Sequence, residues 1–411
     1  MAPRPQAAFR TAARLEQIQP FYVMECAKAA EALARSPACD PAHGGEPMIF
    51  LNIGEPDFTA PAPVLAAAQA ALQAGRTQYT AATGLPALRQ AIAGWYGTHF
   101  GLDAGRGLDP QRVVVTAGAS AALQLACLAL FEPGDEVLMP DPCYPCNRHF
   151  VAAAGATPRL LPAGPQARFQ PTVQELAAAW TPATRGVLLA SPGNPTGTSI
   201  APQALRDIAE LVRERGGVLL VDEIYLGLSY DSRYGQTALA LPDGLGERVV
   251  AINSFSKYFS MTGWRLGWLV LPPALLPAVE KLAQNLYICP SSLAQHAALA
   301  CFEPESLAEY ERRRAEFRAR RDFIVPALGA LGLPVPVVPD GAFYAWCDVS
   351  RHGASSWDLA LALMQQAHVA LTPGRDFGPA AAERYLRLSF ASSLPQLQAA
   401  VQRLQRVLGG G

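Results

Sequence analysis

Lys257 stands in the run Ser254-Phe255-Ser256-Lys257-Tyr258-Phe259-Ser260-Met261-Thr262-Gly263-Trp264-Arg265-Leu266-Gly267, with hydroxyls on both sides and Arg265 eight residues on. An amine attacks an aldehyde only when unprotonated, and nearby positive charge or loss of water lowers a lysine pKa enough to allow it. The run therefore reads as a Schiff-base lysine with its own anion clamp. The plainer alternative is a solvated lysine beside a structural ion pair. The apolar residues 249–252 read as a buried strand. Lys257 then lies just past a strand's carboxyl end, where open α/β sheets bind ligands.

Two further stretches carry chemistry of their own. Thr116-Ala117-Gly118-Ala119-Ser120 falls between an expected strand and an expected helix. Its backbone N–H groups and the helix N-terminus suit an anion such as phosphate, small residues allow close approach, and Ser120 adds a hydroxyl. Such turns also occur for packing alone. Arg387 lies in the strand-like run Tyr385-Leu386-Arg387-Leu388-Ser389-Phe390. An unpaired charge is costly there, so the guanidinium calls for a planar anion that its fork can bind twice, or for a buried salt bridge. The pair Cys143 and Cys146, with His149 three residues on, has the spacing of a redox pair or of half a zinc site, but a second such pair or a clear fourth ligand is missing, so neither metal nor redox chemistry is expected.

The elements that must position these residues alternate. Apolar strands near 113–116, 136–139, 186–190, 218–221 and 249–252 are interleaved with helical runs, and several are apolar on both faces. The chain of 411 residues exceeds one ordinary core, so two domains are expected. The division reads as an N-terminal arm over 1–18, a large domain over 51–290, and a small α/β domain built from 19–50 and 291–411.

With 50% hydrophobic and 16% charged residues and a net charge of −1, the composition is that of a core-rich globular protein. It gives no electrostatic ground for nucleic acid or an anionic membrane. The arginines between 311 and 321 alternate with acids, which reads as a solvated helix face. The eight scattered cysteines suit a reducing cytoplasm.

The motif S-x-S-K followed by G-x-R-x-G resembles the cofactor-lysine segment of the class I and II aminotransferases, the aspartate aminotransferase superfamily of fold type I. Ser191-Pro192-Gly193-Asn194-Pro195-Thr196-Gly197 and Asp222-Glu223-Ile224-Tyr225 match that family in the same order. The resemblance spans about Gly54 to Arg387. It implies an α/β fold whose large domain holds a mostly parallel seven-stranded sheet covered by helices, with pyridoxal 5′-phosphate (PLP) as cofactor.

The resemblance also implies roles. Lys257 carries the cofactor, Asp222 keeps its ring nitrogen protonated, Tyr225 and Asn194 hydrogen-bond its ring oxygen, and Tyr144 stacks on the ring. Gly118, Ala119, Ser120, Ser254, Ser256 and Arg265 form the phosphate side. Tyr79 reaches the phosphate from a neighbouring subunit, which makes the active unit a homodimer. Arg387, Gly54 and Asn194 hold the substrate α-carboxylate. The implied activity is ping-pong transfer of an amino group from an L-amino acid to a 2-oxo acid, with a lyase, a cyclising synthase or a non-catalytic PLP-binding regulator as alternatives on the same scaffold. Asn194-Pro195 is a candidate cis peptide bond. The family's aspartate enzymes carry a second cation for the substrate side chain. Ser120 stands where one branch has a lysine, and Phe21, Tyr22 and Phe343 are candidates for an apolar pocket suited to neutral or aromatic amino acids.

Overall fold

The computed structural model describes residues 10–18, 22–102, 107–242, 244–353 and 355–409. The segment 1–18, read above as an arm, is therefore described only from residue 10, and Phe21 lies outside the described residues. Among the described residues twelve strands form, in chain order β1 (Ile49–Phe50), β2 (Val113–Thr116), β3 (Glu136–Asp141), β4 (Thr157–Pro162), β5 (Thr184–Ala190), β6 (Val218–Asp222), β7 (Val249–Ser254), β8 (Gly267–Val270), β9 (Tyr344–Asp348), β10 (Val369–Ala370), β11 (Thr372–Pro373) and β12 (Tyr385–Ser389).

Seven of them make one sheet in the order β2-β8-β7-β6-β5-β3-β4, parallel throughout except for β8, which runs against both neighbours. This is the expected mostly parallel seven-stranded sheet. Its strands are covered on both faces, and their side chains divide by alternation. Leu188, Leu220 and Val250 pack in one apolar cluster with the helix Gly118–Leu130. Val187, Leu189, Leu219 and Val221 pack in another with the stripe Leu205, Ile208, Ala209 and Val212 of the helix Pro202–Glu214.

Register brings the chemistry-bearing turns together. Ala190 lies opposite Asp222, Asp222 opposite Ile252, Ser254 opposite Gly267, and Gly267 opposite Thr116. The carboxyl ends of β2, β5, β6 and β7 therefore share one edge of the sheet. A side chain at Gly267 would place its Cβ 2.7 Å from the Ala119 nitrogen. Glycine there lets the helix Gly118–Leu130 start directly against the strand.

The rest of the chain gathers beside this edge. β12 pairs antiparallel with β9 and β11, and β1 pairs parallel with β10, Ile49 opposite Val369. The segment before Leu51 thus joins the C-terminal part of the chain. The helix Tyr22–Ala34 buries Cys26 and Ala30, one turn apart, and Ala30 packs with Met364 and Ala370. Among the described residues no helix is long and apolar enough to cross a membrane.

Candidate active site

At the shared strand edge lies a cavity of about 320 Å³ lined by Lys257, Asp222, Tyr225, Asn194, Arg265 and Arg387 together with Ser120, Tyr144, Gly54 and Tyr344. That volume falls within the range of small-molecule sites. Lys257 follows β7, and its Nζ donates to the Gly54 carbonyl at 2.6 Å. Burial lowers its pKa to about 8, with Arg387 and Arg265 pushing the same way against Glu55 and Asp222. The amine is thereby available for attack near neutral pH.

Asp222 ends β6 with its carboxyl buried. Oδ1 accepts the Ile224 N–H at 3.2 Å, and Oδ2 accepts from Asn147 Nδ2 at 3.4 Å. Burial nevertheless pushes this acid up to about 6. A cationic partner would relieve that cost. Tyr225 shares a 2.7 Å hydrogen bond with the Tyr344 hydroxyl, and burial raises its pKa well above the phenol range. It therefore acts as a neutral hydrogen-bonding group.

Arg387 is 3% exposed in the middle of β12. Its Nη1 donates to Asn194 Oδ1 at 2.9 Å, its Nη2 to the Asn52 carbonyl at 2.8 Å and to Thr372 Oγ1 at 3.3 Å, and its plane lies 4.5 Å from the Tyr344 ring centre. None of these partners carries a charge. The Nε has no hydrogen-bond partner. A buried cation held only by neutral groups is poised for an anion from outside the chain.

On the anion side, Gly118 opens the helix Gly118–Leu130 with φ +80, and a Cβ there would sit 2.7 Å from Arg265 Nη2. Helix N-terminus and guanidinium converge on one spot, which suits phosphate. Arg265 itself has φ +51 and donates to the Thr262 carbonyl at 3.0 Å. Ser254 Oγ donates to Ser256 Oγ at 2.9 Å, tying the hydroxyls before Lys257 into one loop. Ala119 lies in the first turn of that helix and also lines the cavity. The Asn194-Pro195 bond is cis, as are Asp141-Pro142 and Ser191-Pro192.

Two residues expected at the site stand elsewhere. Phe343 is fully buried in the core, packed against Phe317 and Tyr225, and its neighbour Tyr344 takes the place in the cavity. Phe343 sits in the turn that leads into β9, whereas Tyr344 is the strand's first residue. Tyr22 turns its ring onto Trp357, 6.0 Å away, and the cavity is lined instead by Val23, Met24 and Ala27 of the same helix. Tyr79, which the resemblance assigns to a neighbouring subunit's site, is 80% exposed and does not line this chain's own cavity.

Asn147 and Tyr344 were not anticipated. Asn147 is a fully buried amide in the first turn of the helix Pro145–Ala153, three residues after Tyr144, a spacing that sets both over the same turn.

An amine of lowered basicity, an acid beside it and a buried cation awaiting an anion define a site for covalent carbonyl chemistry on a small carboxylate. Comparison with known proteins gives the same class. The sequence matches the family model for aminotransferase class I and II over residues 46–404. It is 40% identical, over 94% of this chain and 96% of its relative, to the valine–pyruvate aminotransferase of Mycobacterium tuberculosis. It is 34% identical, over 90% of this chain and 94% of its relative, to aromatic-amino-acid aminotransferase 2 of Thermococcus litoralis. A crystal structure of an aminotransferase from Mycobacterium tuberculosis matches with a TM-score of 0.90 at 39% identity, covering 98% of this chain and all of that one. The chain belongs to the aminotransferase class I and II family, and it is a transaminase. Membership implies PLP as cofactor, and the glycine cradle at 118, the Arg265 guanidinium and the buried Asp222 carboxyl fit that group.

Proposed function

We propose that this cavity transfers an amino group from an L-amino acid with a neutral side chain to a 2-oxo acid, in two half-reactions, with PLP held by Lys257. The observation that carries the reading is the meeting of Lys257, Asp222 and Arg387 in one cavity at the strand edge. When bound, the PLP ring accepts the electron pair released as the Cα–H bond breaks.

The chain's own groups do the rest. The Arg265 guanidinium, the N–H groups from Gly118 to Ser120 and the Ser254–Ser256 pair hold the phosphate. Asp222 keeps a proton on the ring nitrogen, and the cation there offsets the cost of the buried carboxylate. The amide of Asn194 is oriented by Arg387, since Oδ1 accepts from Nη1 and leaves Nδ2 free to donate to the ring oxygen. Tyr225 would donate to the same oxygen, and Tyr144 would offer its ring for stacking. Arg387 binds the α-carboxylate with two hydrogen bonds, assisted by Gly54. Lys257 Nζ, once freed, takes the Cα proton and returns it as general base and acid.

Among the described residues lining the cavity, the cationic side chains are Lys257, Arg265 and Arg387, each assigned above. No further cation remains for a side-chain carboxylate, which supports neutral or aromatic substrates. We propose a homodimer in which Tyr79 serves the phosphate side of the neighbouring site, a reading supported by the exposure of this large aromatic side chain on the single chain. The experiment is a visible spectrum during addition of single L-amino acids. The lysine-bound cofactor band should disappear with neutral amino acids and return with a 2-oxo acid. Persistence of the band with every amino acid would refute amino transfer, and Lys257→Ala should show no such response.

A further inference from the structure

One wall of the cavity is not built on the central sheet. It comes from the first turns of the helix Tyr22–Ala34, through Val23, Met24 and Ala27. Cys26 and Ala30 turn to the protein interior, and Val23 and Ala27, four apart, form the neighbouring face. Met24 is 53% exposed, an apolar side chain spent at a cavity mouth rather than in a core. A helix contributed from the N-terminal end of the chain needs a device to hold it in register with Arg387.

Asp376 supplies one. Its carboxyl is 1% exposed in the turn Gly374–Asp376 that follows β11, and β11 pairs with the strand of Arg387, Thr372 opposite Arg387. Oδ1 accepts the Tyr22 N–H at 2.8 Å and Oδ2 the Val23 N–H at 2.5 Å. One carboxylate thus holds two consecutive backbone donors at the start of the helix, 353 residues away in sequence. The Tyr22 ring, edge-on to Trp357 at 6.0 Å, and Arg375, 5.1 Å from the Trp357 ring centre, brace the same turn. Arg148 and Arg387 are the cations facing Asp376.

We propose that Asp376 is a positioning residue for substrate selection. Through the amides of Tyr22 and Val23 it docks the helix so that Val23, Met24 and Ala27 form an apolar wall for uncharged, apolar substrate side chains. This rests on the aminotransferase reading of the cavity. Substrate discrimination then depends on a contact that touches neither substrate nor cofactor.

The test compares Asp376→Ala, Asp376→Asn and Met24→Arg in the cofactor-loaded enzyme, reading kinetics and amide hydrogen exchange. Asp376→Ala should speed exchange over residues 22–27 selectively. It should raise KM for an apolar amino acid about tenfold, the order expected when hydrogen bonds to a charged group are lost, with kcat nearly unchanged. Asp376→Asn keeps one acceptor and should fall between Asp376→Ala and the wild type. Met24→Arg, on an exposed side chain, should lower kcat/KM for apolar amino acids about tenfold and raise it for a C4 dicarboxylic amino acid. Unchanged exchange at 22–27 in Asp376→Ala, or equal losses for all amino acids in Met24→Arg, would overturn the proposal. A wild-type enzyme that retains its cofactor band with every amino acid would instead refute the aminotransferase reading.

Discussion

Replacing Arg387 with lysine keeps the charge and removes the fork. In the structure the two terminal nitrogens take separate partners, Nη1 on Asn194 and Nη2 on Asn52 and Thr372, so the guanidinium is fixed in plane before substrate arrives. An ammonium can make one of the two charge-assisted bonds to a substrate carboxylate. The loss of the other is worth about 1.5–3 kcal/mol, or roughly 10- to 150-fold in kcat/KM. The amino acid and the 2-oxo acid present the same carboxylate to the same clamp. Single-turnover kinetics of Arg387→Lys should therefore show both half-reactions slowed by the same factor at subsaturating substrate, with the cofactor still bound. A fall of less than about threefold, below the lower end of the hydrogen-bond range, would refute the assignment of Arg387. So would a fall confined to one half-reaction.

Three further outcomes follow from the same geometry. Lys257 is cationic below its pKa of about 8 and neutral above it. Capture of PLP by cofactor-stripped protein should accelerate about tenfold per pH unit up to about pH 8 and then level off, and a flat profile between pH 6 and 8 would contradict this. Asp222 has its folded pKa raised from 3.8 to about 6, so stability falls as pH rises through that window and the full cost is present above it. Asp222→Asn should accordingly stabilise the cofactor-stripped protein at pH 7.5 by up to roughly 3 kcal/mol while abolishing amino transfer, the gain in thermal melts shrinking from pH 6 toward 4. Gly118→Ala forces a Cβ onto a φ of +80 and against Arg265. At a cost of about 1–2 kcal/mol it should weaken PLP retention on dialysis about tenfold, and unchanged retention would remove Gly118 from the phosphate cradle.

What the sequence discloses follows from how local each signal is. The buried parallel strands are continuous apolar runs, and β2, β6 and β7 begin where those runs begin. Lys257, Asp222 and the Asn194 turn were legible as neighbours because each lies at or just past the carboxyl end of such a strand, and register aligns those ends without any long-range knowledge. β4 and β8 were not read. The first is an edge strand carrying two prolines and an arginine, and the second is a four-residue strand hidden behind the lysine segment.

The pocket's far wall was misread by single residues. Phe343 and Tyr344 are both large aromatics on either side of a turn-to-strand boundary, with Ala342 at φ +55 just before them, and no sequence pattern tells which one faces the cavity. Tyr22 was displaced by one helical step from Val23 and Met24 for the same kind of reason. The contacts of Asp376 with Tyr22 and of Asn147 with Asp222 join distant parts of the chain and leave no periodic trace.

The most direct test of the central claim is product stoichiometry with one substrate. Enzyme loaded with PLP and given a single neutral L-amino acid, without any 2-oxo acid acceptor, should release one equivalent of the corresponding 2-oxo acid per chain and stop. Addition of a different 2-oxo acid should restart turnover and yield its amino acid. Continuous release of product together with free ammonia, with no acceptor present, would contradict the account.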